Sequence, residues 1–317
     1  MSVSSSSPET TNSVHLALFG HNVEAAEQWQ QCMYRRLDSV NDGIALTPIQ
    51  LSPWPDTEKA AADLTRLCEK VQLYGYAVYE WDHIPEDVPE RVSALLQALS
   101  LRNSDSGVLQ DANGLSLLQD LSGSPQGRFP PYQSTPLKWH TDGYYNDQQE
   151  AVRSFTLHCI EPAAQGGALR LMDDSLLVWA LMHDDPELIR LLAHPQAMTL
   201  PANSDTEGHD RPDRHVAMIS PQVDGELSMR FTMRARNIRW RCSATQAAAE
   251  RAAELIALNS DWHARVRLKR GQGIITRNIL HTREAFSDHR EQPSRQMLRG
   301  RFRQLPVSPE SHPTNGG

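Results

Sequence analysis

No apolar run in the 317-residue sequence approaches the roughly 20 residues needed to cross a bilayer, so no membrane span is expected. Cysteine is scarce. Cys32, Cys68, Cys159 and Cys242 are scattered without a CxxC pair, which argues against a disulfide framework or a zinc ribbon. Excess positive charge is also missing: 31 Lys and Arg face 39 Asp and Glu, for a net charge of −8. That sign opposes general attraction to nucleic-acid phosphates. The Ser/Thr-rich stretch from Ser2 to Ser13 has neither the basic nor the apolar region of a secretory signal, and a cytoplasmic location is expected. Neither a Gly-rich phosphate loop nor a nucleophile elbow is visible, which leaves nucleotide-hydrolysing and serine-hydrolase readings without support.

What is present reads as a globular chain, with 39% hydrophobic and 22% charged residues. Residues 1–14 and 306–317 are expected to be disordered tails around a single domain over 15–305, helical to about residue 105. Helical patterns occupy 22–39, 57–73 and 88–101, with a short strand at 75–81. Beyond residue 151 strands dominate, at 152–160, 168–172, 197–201, 215–223, 227–234, 266–269, 273–276 and 295–303. Helices interrupt them at 176–193 and 244–259. Many short strands with Gly, Pro, Asn and Asp between them predict a mainly β fold with flanking helices. A double-stranded β-helix core (jelly-roll, cupin-like) fits.

The densest chemistry lies in Trp139-His140-Thr141-Asp142-Gly143-Tyr144-Tyr145. His140 and Asp142, at i and i+2, project from one side of an extended segment. Far downstream, after the Gly271-Gln272-Gly273 turn, a β-rich stretch delivers His281. Two imidazoles and one carboxylate on one face of a metal form the facial triad of non-haem Fe(II) oxygenases, which leaves coordination positions open. In the strand after it, Arg295, Met297 and Arg299 share a face. An inward arginine there needs an anionic partner, because an unpaired buried charge is very costly. Arg301 and Arg303 read as solvated.

Other polar residues have plainer readings. His209, Asp210, Asp213 and His215 look like an exposed loop over a substrate rather than a metal site. His158 reads as a hydrogen-bonded histidine, and His183 and His194 as structural. Arg234, Arg236 and Arg239 read as a solvated strand end, with anion binding as the alternative. Trp139, Tyr144 and Tyr145 flank the ligand segment and serve equally as pocket walls or ordinary core.

The HTDGYY segment, the Gln165-Gly166-Gly167 turn, the LHTREAF segment and the arginine strand together resemble the taurine dioxygenase-like (TauD/TfdA) family, with similarity to γ-butyrobetaine hydroxylases, over roughly residues 70–304. The resemblance implies an Fe(II)- and 2-oxoglutarate-dependent dioxygenase with His140, Asp142 and His281 as iron ligands. It implies O2 as oxidant, succinate and CO2 as products, and oxidation, by preference hydroxylation, of a small organic substrate. Arg295 would clamp the distal carboxylate of 2-oxoglutarate. Arg299 is the second candidate for that task or for an anionic substrate. Trp139, Tyr144 and Tyr145 would contact substrate. One departure is that Ala168-Leu169 follows the Gly-Gly turn where the family usually carries a threonine. Rival readings are a non-oxidative metal-cupin hydrolase or isomerase using Zn²⁺ or Mn²⁺, and a non-catalytic binding protein of the same fold. No nucleic-acid or membrane partner is expected, and a homo-oligomer is left open.

Overall fold

Side-chain alternation along a few apolar strands sets the architecture. The computed structural model describes residues 23–40, 43–53, 58–105, 109–204, 210–221, 227–233, 238–289 and 294–309. Its principal strands are β1 (Ile49–Leu51), β2 (Tyr76–Trp81), β3 (Leu115–Leu118), β4 (Leu137–His140), β5 (Ser154–Glu161), β6 (Leu169–Met172), β7 (Ala264–Val266), β8 (Gln272–Arg277), β9 (Leu280–Arg283) and β10 (Gln296–Phe302). They form a six-stranded sheet of order β1-β2-β8-β5-β10-β3 and a four-stranded sheet of order β7-β6-β9-β4. Only the β1–β2 pair of the larger sheet is parallel.

Chain contacts define two compact units with interleaved segments. One gathers Ser39–Lys138, Asn146–Leu171 and the chain from Ala264 onward. Its strands are buried on both faces, so successive residues serve different cores. Ala77, Tyr79, Ile275 and Leu298 pack with Leu64, Leu67, Val92 and Leu95 of the helices Glu58–Tyr74 and Val88–Ala98. Their chain neighbours Val78, Ile274 and Met297 face the other way, onto Phe155, Leu157, Leu169 and Leu171. This second cluster fills the interior of the jelly roll, and burying each such side chain contributes roughly 1.5–3 kcal/mol. The mainly β jelly-roll class is as expected from the sequence.

The same unit corrects two expectations. Arg301 is not solvated: it is 8% exposed and its guanidinium lies 2.7 Å from the Asp105 carboxylate. The expected tail from residue 306 is ordered at its start. Pro306 is buried, Val307 N donates to Leu99 O at 3.0 Å, and Ser308 Oγ lies 2.7 Å from Thr65 Oγ1. The expectations for 1–14 and 310–317 lie outside the described residues.

The other unit gathers Trp139–Tyr145, Met172–His263 and the segment ending at Asp38. The single helix expected over 176–193 is two helices, Asp174–Asp184 and Pro186–Leu192. The residue before a proline is pushed out of the α region, and Asp185 is extended at φ −160°. Each helix has its own aspartate cap, Asp173 accepting from Ser175 N and Asp185 from Glu187 N. The strand expected over 215–223 is likewise broken, into Arg214–Val216 and Ile219–Pro221. Among the described residues, no helix is long and apolar enough to cross a membrane.

Candidate active site

The ligand segment is held by residues 231–233, which hydrogen-bond to it. Thr141 is fully buried; its N–H donates to Phe231 O, and its Oγ1 accepts from Phe231 N, each at 3.0 Å. Met233 N donates to Trp139 O, and His140 bridges to Thr232. Gly143 then takes φ +61°, a left-handed turn that costs glycine little. The carbonyls beyond it are pinned by two arginines, Arg230 Nη1 to Tyr144 O at 2.8 Å and Arg214 Nη1 to Tyr145 O at 3.0 Å. His140 Nε2 comes to 3.8 Å from Asp142 Oδ1. The sequence showed no sign of this support, because the pairing of residues 230–233 with 139–141 is a long-range contact.

His281 sits on β9, 7% exposed, with its ring 4.4 Å from that of Phe155. Its Nδ1 lies 2.9 Å from Ile279 O. A carbonyl only accepts, so the proton is on Nδ1 and the Nε2 lone pair is available to a metal. His140 and Asp142 on one unit, and His281 on the other, each offer one ligand atom. Two imidazoles and a carboxylate suit iron.

Arg295 is 3% exposed, with its guanidinium carbon 4.9 Å from the centre of the Phe286 ring. Its Nη1 is buried without a hydrogen-bond partner, and burial pulls its pKa below the ordinary arginine value. The Gly166-Gly167 turn makes room for this arrangement. Both glycines have φ above +70°, a methyl group on Gly166 would collide with Ala285 O, and Gly167 lies against Arg295 Nε. Gly167, Leu169, Leu268, Arg295 and Met297 line one cleft. Arg299 shares the Met297 face of β10, opposite Leu157 on β5, and is half-buried.

A third arginine escaped the sequence reading. Arg283, two residues after His281, is also 3% exposed. Burial, and secondarily the charge of Arg295, lowers its pKa to about 10. Its only sequence signal is its i+2 spacing from a candidate ligand.

The expected substrate aromatics have defined settings. Trp139 packs on the His263 ring at 4.7 Å, and Tyr144 lies edge-on to Tyr145 at 5.3 Å. Tyr145 is 40% exposed. The polar residues given plainer readings are occupied structurally. His158 is buried and bonded to Tyr79 OH at 3.0 Å, and burial lowers its pKa to about 3. His183 Nδ1 bonds Trp179 O, and His194 Nδ1 accepts from Gln196 N. Asp213 accepts from Ala202 N and pairs with Arg239, while His215 Nδ1 lies 2.8 Å from Thr199 Oγ1. His209, Arg234 and Arg236 lie outside the described residues.

Comparison with known proteins bears on the family and the fold. The profile of the taurine catabolism dioxygenase TauD, TfdA family matches residues 81–301. A uridine-5'-phosphate dioxygenase from a Streptomyces species is 31% identical over 179 residues, which span 54% of this chain and 63% of that protein. In fold, the chain is similar to asparagine oxygenase in complex with Fe(II), 2S,3S-3-hydroxyasparagine and succinate, with TM-score 0.54, 14% identity and coverage of 84% of this chain and 90% of that one. The non-heme iron oxygenase OrfP in complex with Fe and alpha-ketoglutaric acid gives TM-score 0.54 at 13% identity, covering 94% of this chain and 92% of that one. A taurine dioxygenase from Burkholderia xenovorans gives 0.52 at 13% identity, over 84% of this chain and 92% of that one. With a family match spanning most of its length, the chain belongs to the TauD/TfdA family of Fe(II)- and 2-oxoglutarate-dependent dioxygenases.

Proposed function

We propose that the protein couples oxidative decarboxylation of 2-oxoglutarate to hydroxylation of a small organic substrate, with iron held by His140, Asp142 and His281. The observation that carries this reading is the family match over residues 81–301, within which His140 and Asp142 lie 3.8 Å apart and His281, its Nδ1 bound to a carbonyl, presents Nε2 as its ligand atom. Iron bound there supplies open positions for the keto-acid end of 2-oxoglutarate and for O2, and with them the power to oxidise a C–H bond. The chain's own residues do the rest. Arg295 binds the distal carboxylate: a buried guanidinium with an unmet donor calls for an anion, and its planar fork matches a carboxylate in two places. With no threonine after the Gly-Gly turn, that arginine carries more of the task. Arg299, half-buried on the Met297 face of the same strand, serves an anionic group of the substrate. Asp142 fills the position that halogenating relatives leave empty, which favours hydroxylation. Trp139, Tyr144 and Tyr145 contact substrate, and the enzyme works in the cytoplasm.

Purified protein supplied with Fe(II) and 2-oxoglutarate is expected to release succinate. A non-oxidative metal enzyme or a binding protein of this fold would release none. The identity to a uridine-5'-phosphate dioxygenase makes that nucleotide the first compound to screen by stimulated 2-oxoglutarate consumption.

A further inference from the structure

The segment Pro131–Leu137 leads directly into the His140 strand, and β9 with its continuation holds it at five points. Thr282 Oγ1 donates to Leu137 O, and Phe286 N donates to Ser134 O at 3.0 Å. The Arg283 fork does most of the holding, with Nη1 on Pro131 O at 3.3 Å and Nη2 on both Gln133 O and Thr135 O, the latter at 2.6 Å. Three backbone carbonyls gathered by one guanidinium are a structural clamp. They leave the positive charge without a hydrogen-bonded counter-ion, and Arg283 Nε is buried without a partner. Arg283 is also not electrically alone. Its guanidinium carbon is 5.0 Å from the centre of the Phe286 ring, the same ring that Arg295 approaches to 4.9 Å. Two buried cations therefore share one aromatic ring; Asp120 offsets part of the Arg283 charge and Asp288 part of that of Arg295, but Arg295 acts on Arg283 more strongly than Asp120 does.

We propose that Arg283 is a positioning residue that couples cosubstrate binding at Arg295 to the Pro131–Leu137 segment that delivers His140. An anion on Arg295 relieves the repulsion between the two guanidiniums, so Arg283 holds its three carbonyls more firmly when the cosubstrate is in place. Coupling is reciprocal: the charge of Arg283 raises the positive potential at the Arg295 site and strengthens anion binding there. The inference rests on the reading of Arg295 as the 2-oxoglutarate clamp, and the test separates the two.

Hydrogen exchange is followed on the anaerobic Fe(II) protein with and without 2-oxoglutarate, alongside calorimetric titration of 2-oxoglutarate. In the wild type, 2-oxoglutarate is expected to slow exchange of the amides between Tyr132 and Leu137. Arg283→Gln is expected to weaken 2-oxoglutarate by about five- to tenfold, within the usual range of such couplings, and to abolish the slowing even at saturation. Arg283→Lys keeps the charge without the fork. It should retain the affinity within about twofold but lose the slowing, which also serves if the glutamine variant fails to fold. Wild-type slowing that survives in a saturated Arg283 variant, or unchanged affinity in Arg283→Gln, overturns the coupling and leaves Arg283 a local staple. If Arg295→Gln binds 2-oxoglutarate as the wild type does, the clamp reading fails and takes the coupling with it.

Discussion

His281 sits on a packed strand with its proton fixed on Nδ1 by Ile279 O, so removing its imidazole takes away a ligand without a hydrogen bond that the fold requires. His281→Ala and His140→Ala are accordingly expected to abolish turnover and iron binding while leaving the circular-dichroism spectrum near that of the wild type. Asp142→Ala should end hydroxylation, with some iron retained through the two imidazoles, as metal analysis would show. The arginines are separated by their forks. Arg295→Lys should weaken 2-oxoglutarate by about ten- to a hundredfold, the loss of a charge-assisted bond worth roughly 1.5–3 kcal/mol. Arg299→Lys should chiefly raise the substrate constant, and a larger rise in the 2-oxoglutarate constant for Arg299→Lys would exchange the two roles. The His140–Asp142 pair could be read because i, i+2 spacing on an extended segment is local geometry. Arg283 was not, because its partners at Pro131, Gln133 and Thr135 lie about 150 residues away in sequence.

Among the elements, the Gly166-Gly167 turn has the tightest stereochemistry. A side chain on Gly166 meets Ala285 O head-on, in a backbone conformation that L-residues rarely adopt. Gly166→Ala is therefore expected to cost roughly 1–3 kcal/mol in urea unfolding. It should also raise the 2-oxoglutarate constant, because the Ala285–Phe286 segment it displaces underlies Arg295. Wild-type values for both would show that the turn yields without disturbing its neighbours. Strands such as β2 and β8 were legible from their apolar runs. The break between the helices 174–184 and 186–192 was also written in the sequence, as Asp185-Pro186, but the apolar pattern on either side masked it. Which segment bonds to the ligand segment was not written there, since Arg230–Met233 carries no mark of its partner.

For the molecule as a whole, the β strands draw on residues far apart in the chain, and two apolar faces per strand make register the main determinant of stability. One buried group adds a pH dependence. His158 has its pKa pulled from 6.5 down to about 3 by burial, so the folded chain refuses a proton that the unfolded chain accepts. Above pH 6.5 both states are neutral there. As pH falls from 6.5 toward 3, stability drops by up to about 1.4 kcal/mol per pH unit from this residue. Urea unfolding at pH 7 and pH 5 should show the loss, and His158→Phe should reduce the slope. An unchanged slope would assign the acid sensitivity to other groups. The jelly-roll class and order of motifs were legible because both rest on short-range patterns. The division into interleaved units was not, because it depends on which distant segments meet.

We propose that His140, Asp142 and His281 hold an iron that 2-oxoglutarate chelates. The most direct test is the visible spectrum of the protein under anaerobic conditions with Fe(II) and 2-oxoglutarate. A weak charge-transfer band is expected in the wild type and is expected to be absent from His140→Ala and His281→Ala. No band in the wild type, or the same band in both variants, would contradict the proposal.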